Sequence, residues 1–164
     1  MSLFDLTSLY KEVIMDHSKN PRHKKPIANY THRVELLNPT CGDAIVVEFT
    51  LHNDTIEEVG FTGQGCAISM ASADMMCDTL KNKTKEQALE IIENFTHLIG
   101  GELKSQAKPL MDTTQLQDVL QDAYLLEGIK KFPARYKCGI LAWRALELGM
   151  SQNDQTEEGI IERE

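Results

Sequence analysis

The stretch Asn38-Pro39-Thr40-Cys41-Gly42-Asp43 lies between two runs of alternating apolar and polar residues, a pattern typical of half-buried β-strands. Gly42 allows the backbone to turn sharply, so the Cys41 thiol and the Asp43 carboxylate can point at one centre instead of at opposite faces of a strand. The stretch therefore predicts a turn that holds a thiol and a carboxylate together between two strands of a sheet.

Three strands are predicted around this turn. The first two lie near residues 34–36 and 45–51, on either side of the turn. The sequence His52-Asn53-Asp54 is typical of a hairpin, and a third strand follows over residues 56–62. The alternation slips near the start of that third strand, which predicts a β-bulge.

Apolar residues at helical spacing predict five helices. These elements favour an α+β fold in which a small three-stranded antiparallel sheet has several helices packed on one face. We expect a single domain over residues 1–150, followed by an acidic, disordered tail over residues 151–164. The helices are predicted from about residue 6 to before Asn20, from Cys66 to Leu80, from the capping box of Thr84 and Gln87 to Gly100, from Leu116 to near Gly128, and from Pro133 to Gly149.

Composition excludes several classes of function. The formal net charge of −8 argues against nucleic acid as a partner, because phosphate binding requires a basic surface. No apolar run approaches the length of a bilayer span, and the N-terminus lacks the pattern of an export signal, so a cytoplasmic protein that does not bind membranes is expected. One local basic cluster is interpreted as a solvated turn or, alternatively, as a docking patch for an acidic partner; it consists of Lys19, Arg22, His23, Lys24 and Lys25.

The four cysteines divide into two groups. Without an export signal they are expected to be reduced, and hence to be metal ligands, nucleophiles or core residues rather than disulfides. Cys77 lies in the middle of a helix in register with apolar neighbours, so we predict a core residue. Cys66 and Cys138 lie where helices begin, a setting that favours thiolate. With Cys41 and Asp43 they make four ligands, as a tetrahedral zinc site needs, but their separations match no zinc-finger spacing and leave burial as small hydrophobes open.

Four segments carry a more specific pattern. They are Asp16-His17 with Asn20-Pro21-Arg22, the stretch 38–43, Gly65-Cys66-Ala67-Ile68-Ser69-Met70-Ala71-Ser72-Ala73, and Lys131-Phe132-Pro133-Ala134-Arg135-Tyr136-Lys137-Cys138. Together they resemble the IscU- and NifU-like family of iron–sulfur cluster assembly proteins, and in particular its SufU-type branch. The resemblance runs from about residue 6 to residue 149 and implies an IscU-like fold.

The resemblance implies a zinc-dependent sulfur-transfer protein that accepts persulfide sulfur from a SufS-type cysteine desulfurase for iron–sulfur cluster assembly. By matched position, the zinc ligands would be Cys41, Asp43, Cys66 and Cys138, with Cys41 as the residue that receives sulfur. Arg135 would orient Asp43 or guide the incoming persulfide, and an exposed helix charge is the alternative interpretation. Downstream cluster-assembly proteins would be further partners.

Two departures distinguish this chain from the scaffold branch of the family. That branch has a histidine immediately before its third cysteine, where this chain has Lys137, and it has a Leu-Pro-Pro-Val-Lys chaperone motif that this sequence lacks. A scaffold that builds and transfers a [2Fe–2S] cluster on the same four ligands remains the alternative, and a purely structural zinc domain is a third. The role of Lys137 and of the segment 100–128 stays open. The five histidines share no ligand spacing and are interpreted as surface or packing residues.

Overall fold

The computed structural model describes residues 3–103, 109–151 and 156–160, with side chains described for residues 10–103 and 109–151. Helix α1 (Leu3–Lys19) precedes three strands, β1 (His32–Asn38), β2 (Asp43–His52) and β3 (Thr55–Gln64). The rest of the chain forms α2 (Ala67–Leu80), α3 (Lys85–Leu98), α4 (Thr113–Leu120), a 3₁₀ helix (Gln121–Lys131), a 3₁₀ turn (Pro133–Arg135), α5 (Tyr136–Met150) and β4 (Thr156–Ile160).

The three predicted strands form an antiparallel sheet, as expected. Strand β2 pairs with β1 and with β3, and the last pair of β1 and β2 places Asn38 opposite Asp43. Asn53 and Asp54 both adopt left-handed backbone conformations, with φ of 51° and 61°, as a tight hairpin between twisted strands requires. The predicted bulge is present near the start of β3: Thr50 and Leu51 of β2 pair with Glu58 and Ile56, so Glu57 of β3 is the extra residue.

One face of the sheet packs against helices. Strand β1 alternates strictly between buried and half-buried residues, so one of its faces lies in the core. Residue Gly149 of α5 lies so close to the sheet that a Cβ there would meet Phe49 at 2.8 Å. Trp143 of the same helix stacks on Phe95 with ring centroids 3.8 Å apart. Cys77 has no exposed surface, which confirms its prediction as a core residue. No helix in the described ranges has the length and apolar character to cross a membrane.

The acidic tail differs from the sequence prediction. Residues 156–160, predicted to be disordered, form β4 and pair in parallel with β1, from Arg33 opposite Thr156 to Leu37 opposite Ile160. Without β4, one edge of β1 would present unpaired backbone N–H and C=O groups, and pairing them requires no apolar side chains. An acidic segment can therefore form a strand that its composition does not indicate. Residues 152–155 and 161–164 lie outside the described residues.

The helical segment predicted from Leu116 to near Gly128 is also different. Helix α4 ends at Leu120, because Gln121 takes a left-handed conformation with φ of 52°, and an eleven-residue 3₁₀ helix follows. Its buried residues are spaced by three, the period of a 3₁₀ helix: Ala123, Leu126 and Ile129. Pro133 likewise opens a 3₁₀ turn, and the last α-helix begins only at Tyr136.

Candidate metal centre

Three of the four predicted ligands meet at one end of the sheet. One donor atom from each of Cys41, Asp43 and Cys138 lies within 4.8 Å of the other two. The Cys138 thiol donates a hydrogen bond to the Cys41 sulfur at 3.0 Å, across 97 positions of sequence. Cys138 and Asp43 are buried, whereas Cys41 is half-buried. The group therefore has two enclosed members and one that faces solvent.

The backbone explains why the first two ligands converge. Gly42 has φ of 71°, a left-handed conformation that glycine adopts without a steric penalty, and nothing lies near the place where its Cβ would be. The Cys41 N–H donates to the Asn38 carbonyl at 3.3 Å, which closes the turn between β1 and β2. Cys138 enters from the first turn of α5. The turn predicted around Cys41 is thus confirmed.

Cys66, the fourth predicted ligand, lies at the N-terminus of α2, where it is the capping residue. It is not part of the compact three-residue group, but its sulfur takes a hydrogen bond from the Cys138 thiol, and this bond lowers the pKa of Cys66 to about 5. The same bond, together with burial and the bond to Cys41, raises the pKa of Cys138. Cys138 therefore interacts with both of the other thiols, and its single S–H proton is donated to one of them at a time.

The buried Asp43 carboxylate is held by three donors that sequence reasoning did not identify. Oδ1 accepts hydrogen bonds from the Cys66 backbone N–H and the Ser69 hydroxyl, each at 3.0 Å, and Oδ2 accepts one from the Asn38 side-chain amide at 3.0 Å. Gly65 also belongs to this arrangement, because a Cβ there would lie 2.5 Å from Oδ1 of Asp43 and would collide with Ser69. Asn38 and Asp43 are the two ends of the turn sequence 38–43. Their places on either side of this turn were the one sequence signal that they could be in contact.

Arg135 does not hold Asp43. Among the described residues no ion pair joins the two side chains, and Arg135 is exposed. It lines an apolar groove beside the ligand set, together with Ala67 and Ile68 at the start of α2 and with Phe132, which is 64% exposed. The geometry therefore does not support Arg135 as an orienting partner of Asp43. The position of Arg135 at this groove is compatible with the other interpretation, that it guides an incoming persulfide.

The donor set fits a metal ion of intermediate softness. Three thiols and one carboxylate match the tetrahedral sulfur-and-oxygen coordination that zinc adopts, and thiolates are also the usual ligands of iron–sulfur clusters. The 3.0 Å separation of the Cys41 and Cys138 sulfurs and the shared Cys138 thiol bring the donor atoms together without a disulfide, since all four cysteines are free. Cys41, Asp43, Cys66 and Cys138 could hold such an ion.

A second group of potential ligands, His17, Asp74 and Asp78, is a hydrogen-bonded network instead. The His17 ring bonds to Asp74 at 2.7 Å and to Asp122 at 2.8 Å, so both ring nitrogens have partners. Oδ1 of Asp74 accepts the backbone N–H groups of Arg22 and His23 at 2.9 Å. The network attaches α1 and the basic segment after it to α2.

Two residues of the basic cluster also bind a carboxylate of α2. Arg22 and His23 contact the Asp78 carboxylate at 3.0 Å and 2.6 Å, whereas Lys24 and Lys25 are exposed. Two of the five basic residues therefore stabilise the turn after α1, as the interpretation of a solvated turn expects.

Comparison with known proteins identifies the family of this chain. Residues 9–139 match the model of the NifU-like N-terminal domain. The chain is 42% identical over 150 residues to the zinc-dependent sulfurtransferase SufU of Bacillus subtilis, covering 92% of this chain and 95% of that protein. It is also 42% identical over 147 residues to the iron–sulfur cluster assembly scaffold protein IscU of Streptococcus pyogenes, covering 90% of this chain and 86% of that protein.

A solved structure is similar over nearly the same length. A candidate iron–sulfur cluster assembly scaffold protein for the SUF system, from Fervidobacterium islandicum, superposes with a TM-score of 0.72 at 33% identity, covering 87% of this chain and 97% of that one. The Bacillus subtilis and Streptococcus pyogenes relatives carry two different functional names at the same 42% identity. The fold, the converging ligands and these matches together establish that the chain belongs to the NifU-like N-terminal domain family of iron–sulfur cluster assembly proteins.

Proposed function

We propose that the chain is a zinc-dependent sulfur acceptor, which takes sulfur from the persulfide of a SufS-type cysteine desulfurase and delivers it to iron–sulfur cluster assembly. The zinc ligands are Cys41, Asp43, Cys66 and Cys138, and Cys41 is the acceptor. The sulfurtransferase and scaffold relatives are equally identical to this chain, so their names do not distinguish the two activities. The argument for sulfur acceptance therefore depends on the geometry of the site.

The observation that carries the proposal is the unequal exposure of the ligands. Cys138 and Asp43 are buried, whereas Cys41 and Cys66 are half-buried, Cys41 on the turn between β1 and β2 and Cys66 at the start of α2. A sulfur acceptor needs a thiolate that a partner can reach. Cys41 meets this need on a turn outside the helices, whereas Cys66 is anchored at the start of α2 through its backbone N–H bond to Asp43.

The transfer is balanced without any added oxidant. The Cys41 thiolate attacks the outer sulfur of the desulfurase persulfide, one S–S bond forms, the original S–S bond breaks, and the desulfurase thiolate leaves. Bound zinc would keep Cys41 deprotonated and, having no second oxidation state, would not oxidise the persulfide. Arg135 at the exposed rim offers a cation to the negatively charged persulfide as it approaches.

The experiment that tests this proposal mixes the zinc-loaded chain with cysteine and its desulfurase. Mass spectrometry is expected to find one added sulfur atom on Cys41, which a reductant removes, and Cys41→Ala is expected to abolish both the adduct and the stimulation of the desulfurase. Cys77→Ser is the matched control, because its thiol is buried away from the site and the adduct should persist. A wild-type chain that gains no sulfur on Cys41 would contradict the proposal.

The second candidate, a [2Fe–2S] scaffold, is favoured by the name of the Streptococcus pyogenes relative. It makes the opposite forecast, since anaerobic iron and sulfide should then give a stable cluster spectrum on the wild-type chain. Lys137→His supplies the histidine of the scaffold branch and should leave sulfur acceptance in place if the acceptor activity is correct. A near-stoichiometric cluster with no persulfide on Cys41 would select the scaffold.

A further inference from the structure

Three donors converge on Asp43 and occupy most of its capacity to accept hydrogen bonds. An ionised carboxylate has about four lone-pair sites. Cys66 N–H and the Ser69 hydroxyl take two of them on Oδ1, and the Asn38 amide takes one on Oδ2. About one site remains, on Oδ2, so the carboxylate has a single oxygen left to offer to a metal ion.

The side chains of Ser69 and Asn38 each also lie near one cysteine sulfur. Ser69 Oγ lies 3.6 Å from the Cys66 sulfur, and the Asn38 amide nitrogen lies 3.9 Å from the Cys138 sulfur. Ser69 has one hydroxyl proton and two acceptors at 3.0 Å, Asp43 Oδ1 and the Cys66 carbonyl, and the charged acceptor makes the stronger bond. Asn38 and Ser69 therefore approach the ligand set from opposite sides, one beside each of two thiols.

The orientation of the Asn38 side chain depends on its bond to Asp43. Its Oδ1 atom is buried and has no hydrogen-bond partner among the described residues. Rotating the amide would not remove this cost, because it would put an oxygen against Oδ2 of Asp43. A buried acceptor left unpaired is unfavourable. The residue is thus held in place by the one strong bond that its amide nitrogen makes to Asp43.

We propose that Asn38 and Ser69 are positioning residues of the metal centre, which fix Asp43 as a ligand through one oxygen, Oδ2. This inference rests on the ligand set of the proposed function and on nothing else in it. The same three donors compensate the buried charge of Asp43 with or without a bound ion. The carboxylate is therefore suited to exchange for a partner's ligand without becoming an unpaired charge in the core.

Helix α2 provides a matched pair of variants to test this proposal. Ser69→Ala removes a hydroxyl that bonds Asp43, and Ser72→Ala removes one from the same helix that bonds the Gly139 carbonyl and the Trp143 indole instead. Zinc affinity is measured by competition with a chromogenic chelator, and the ligand field by the absorption spectrum of the cobalt-substituted chain. Ser69→Ala is expected to weaken zinc binding about ten- to a hundred-fold and to shift the cobalt bands. Ser72→Ala should change stability alone.

Two further variants strengthen the test. Ser69→Thr keeps the hydroxyl and should restore affinity and spectrum. Asn38→Leu has the shape of asparagine without the donor and should weaken binding as Ser69→Ala does; if it does not fold, the Ser69 series decides. In an Asp43→Ala background, Ser69→Ala should have no further effect on zinc affinity, because its proposed action passes through the carboxylate.

The outcomes separate this inference from the proposed function. A Ser69→Ala chain that binds zinc as tightly as the wild type would overturn the inference, and so would an effect of equal size in the Asp43→Ala background. In either case sulfur acceptance by Cys41 could still be observed, and the proposed function would stand. A wild-type chain that binds no zinc would overturn both.

Discussion

Replacing His17 with glutamine is expected to remove a pH-dependent contribution to folding stability. The His17 ring is 3% exposed and lies between two carboxylates, Asp74 of α2 and Asp122 of the 3₁₀ helix Gln121–Lys131. The hydrogen bond to Asp74 is the largest influence on its pKa. Burial of the ring opposes it, the bond to Asp122 adds to it, and the net result raises the pKa of His17 from 6.5 to about 9.

The size of the effect follows from that difference. Raising a pKa from 6.5 to about 9 corresponds to about 3 kcal/mol of preference for the protonated ring in the folded state. Asp122 is 53% exposed, so solvent screens its share of the interaction and the contribution is reduced to about 2 kcal/mol. The bond to the fully buried Asp74 is not screened in this way.

The sign follows from proton linkage. Below pH 6.5 the ring is protonated in both the folded and the unfolded chain, and the full contribution is present. As the pH rises from 6.5 to about 9, the unfolded chain loses the proton while the folded chain retains it, so the contribution shrinks; above about pH 9 it is gone. The wild type should therefore lose stability relative to His17→Gln across this window.

Urea unfolding of both zinc-loaded chains from about pH 6 to about pH 9.5 measures this directly. Loss of packing in the variant adds an offset that does not depend on pH, and the cysteine thiols titrate alike in both chains, so the difference between the two free energies of unfolding isolates His17. His97→Gln is the matched control, because His97 is exposed on α3. A difference between wild type and His17→Gln that stays constant, or grows with pH, would refute the proposed charge on His17.

Two other predictions concern packing, one beside the predicted ligands and one in the core. Gly65→Ala should lower stability or zinc affinity by about 1–3 kcal/mol, because the new Cβ would lie 2.5 Å from Asp43 Oδ1; Gly128→Ala, where nothing lies within 4 Å, is the control, and equal zinc affinity and stability in both variants would contradict this reasoning. Cys77→Ser should cost about 1–3 kcal/mol in urea unfolding, because it places a hydroxyl in the core, while zinc content stays unchanged. Loss of zinc from Cys77→Ser would show that the four cysteines were divided wrongly.

Local sequence patterns were sufficient for features that depend on neighbouring residues. The turn at Cys41-Gly42, the hairpin at Asn53-Asp54 and the capping box of Thr84 and Gln87 are each specified within a few positions, and all three are present. Cys77 could be assigned to the core because its apolar neighbours recur at helical spacing. Each of these features is decided by backbone conformation or by periodicity, which a single sequence displays.

Two other elements differ from the structure that their local sequence pattern predicts. The 3₁₀ helix after α4 was predicted as a continued α-helix, since a spacing of three is contained in both patterns and the left-handed Gln121 gives no signal of the kind that glycine gives. Strand β4 was missed because backbone pairing with β1 is independent of side-chain hydrophobicity. Here the available partner decided the structure.

The residue types of the site and the turn that presents Cys41 and Asp43 are evident in the sequence. The groups that surround them are set by the packing of distant segments. Ser69 lies 26 positions from Asp43, and His17 lies 57 and 105 positions from its two carboxylate partners, so no periodicity relates them. The same fold buries Asp43 among three donors and leaves Arg135 without a contact to it. Burial and hydrogen bonding between distant segments arise when the helices pack on the sheet, and a linear pattern contains no information on that packing by itself.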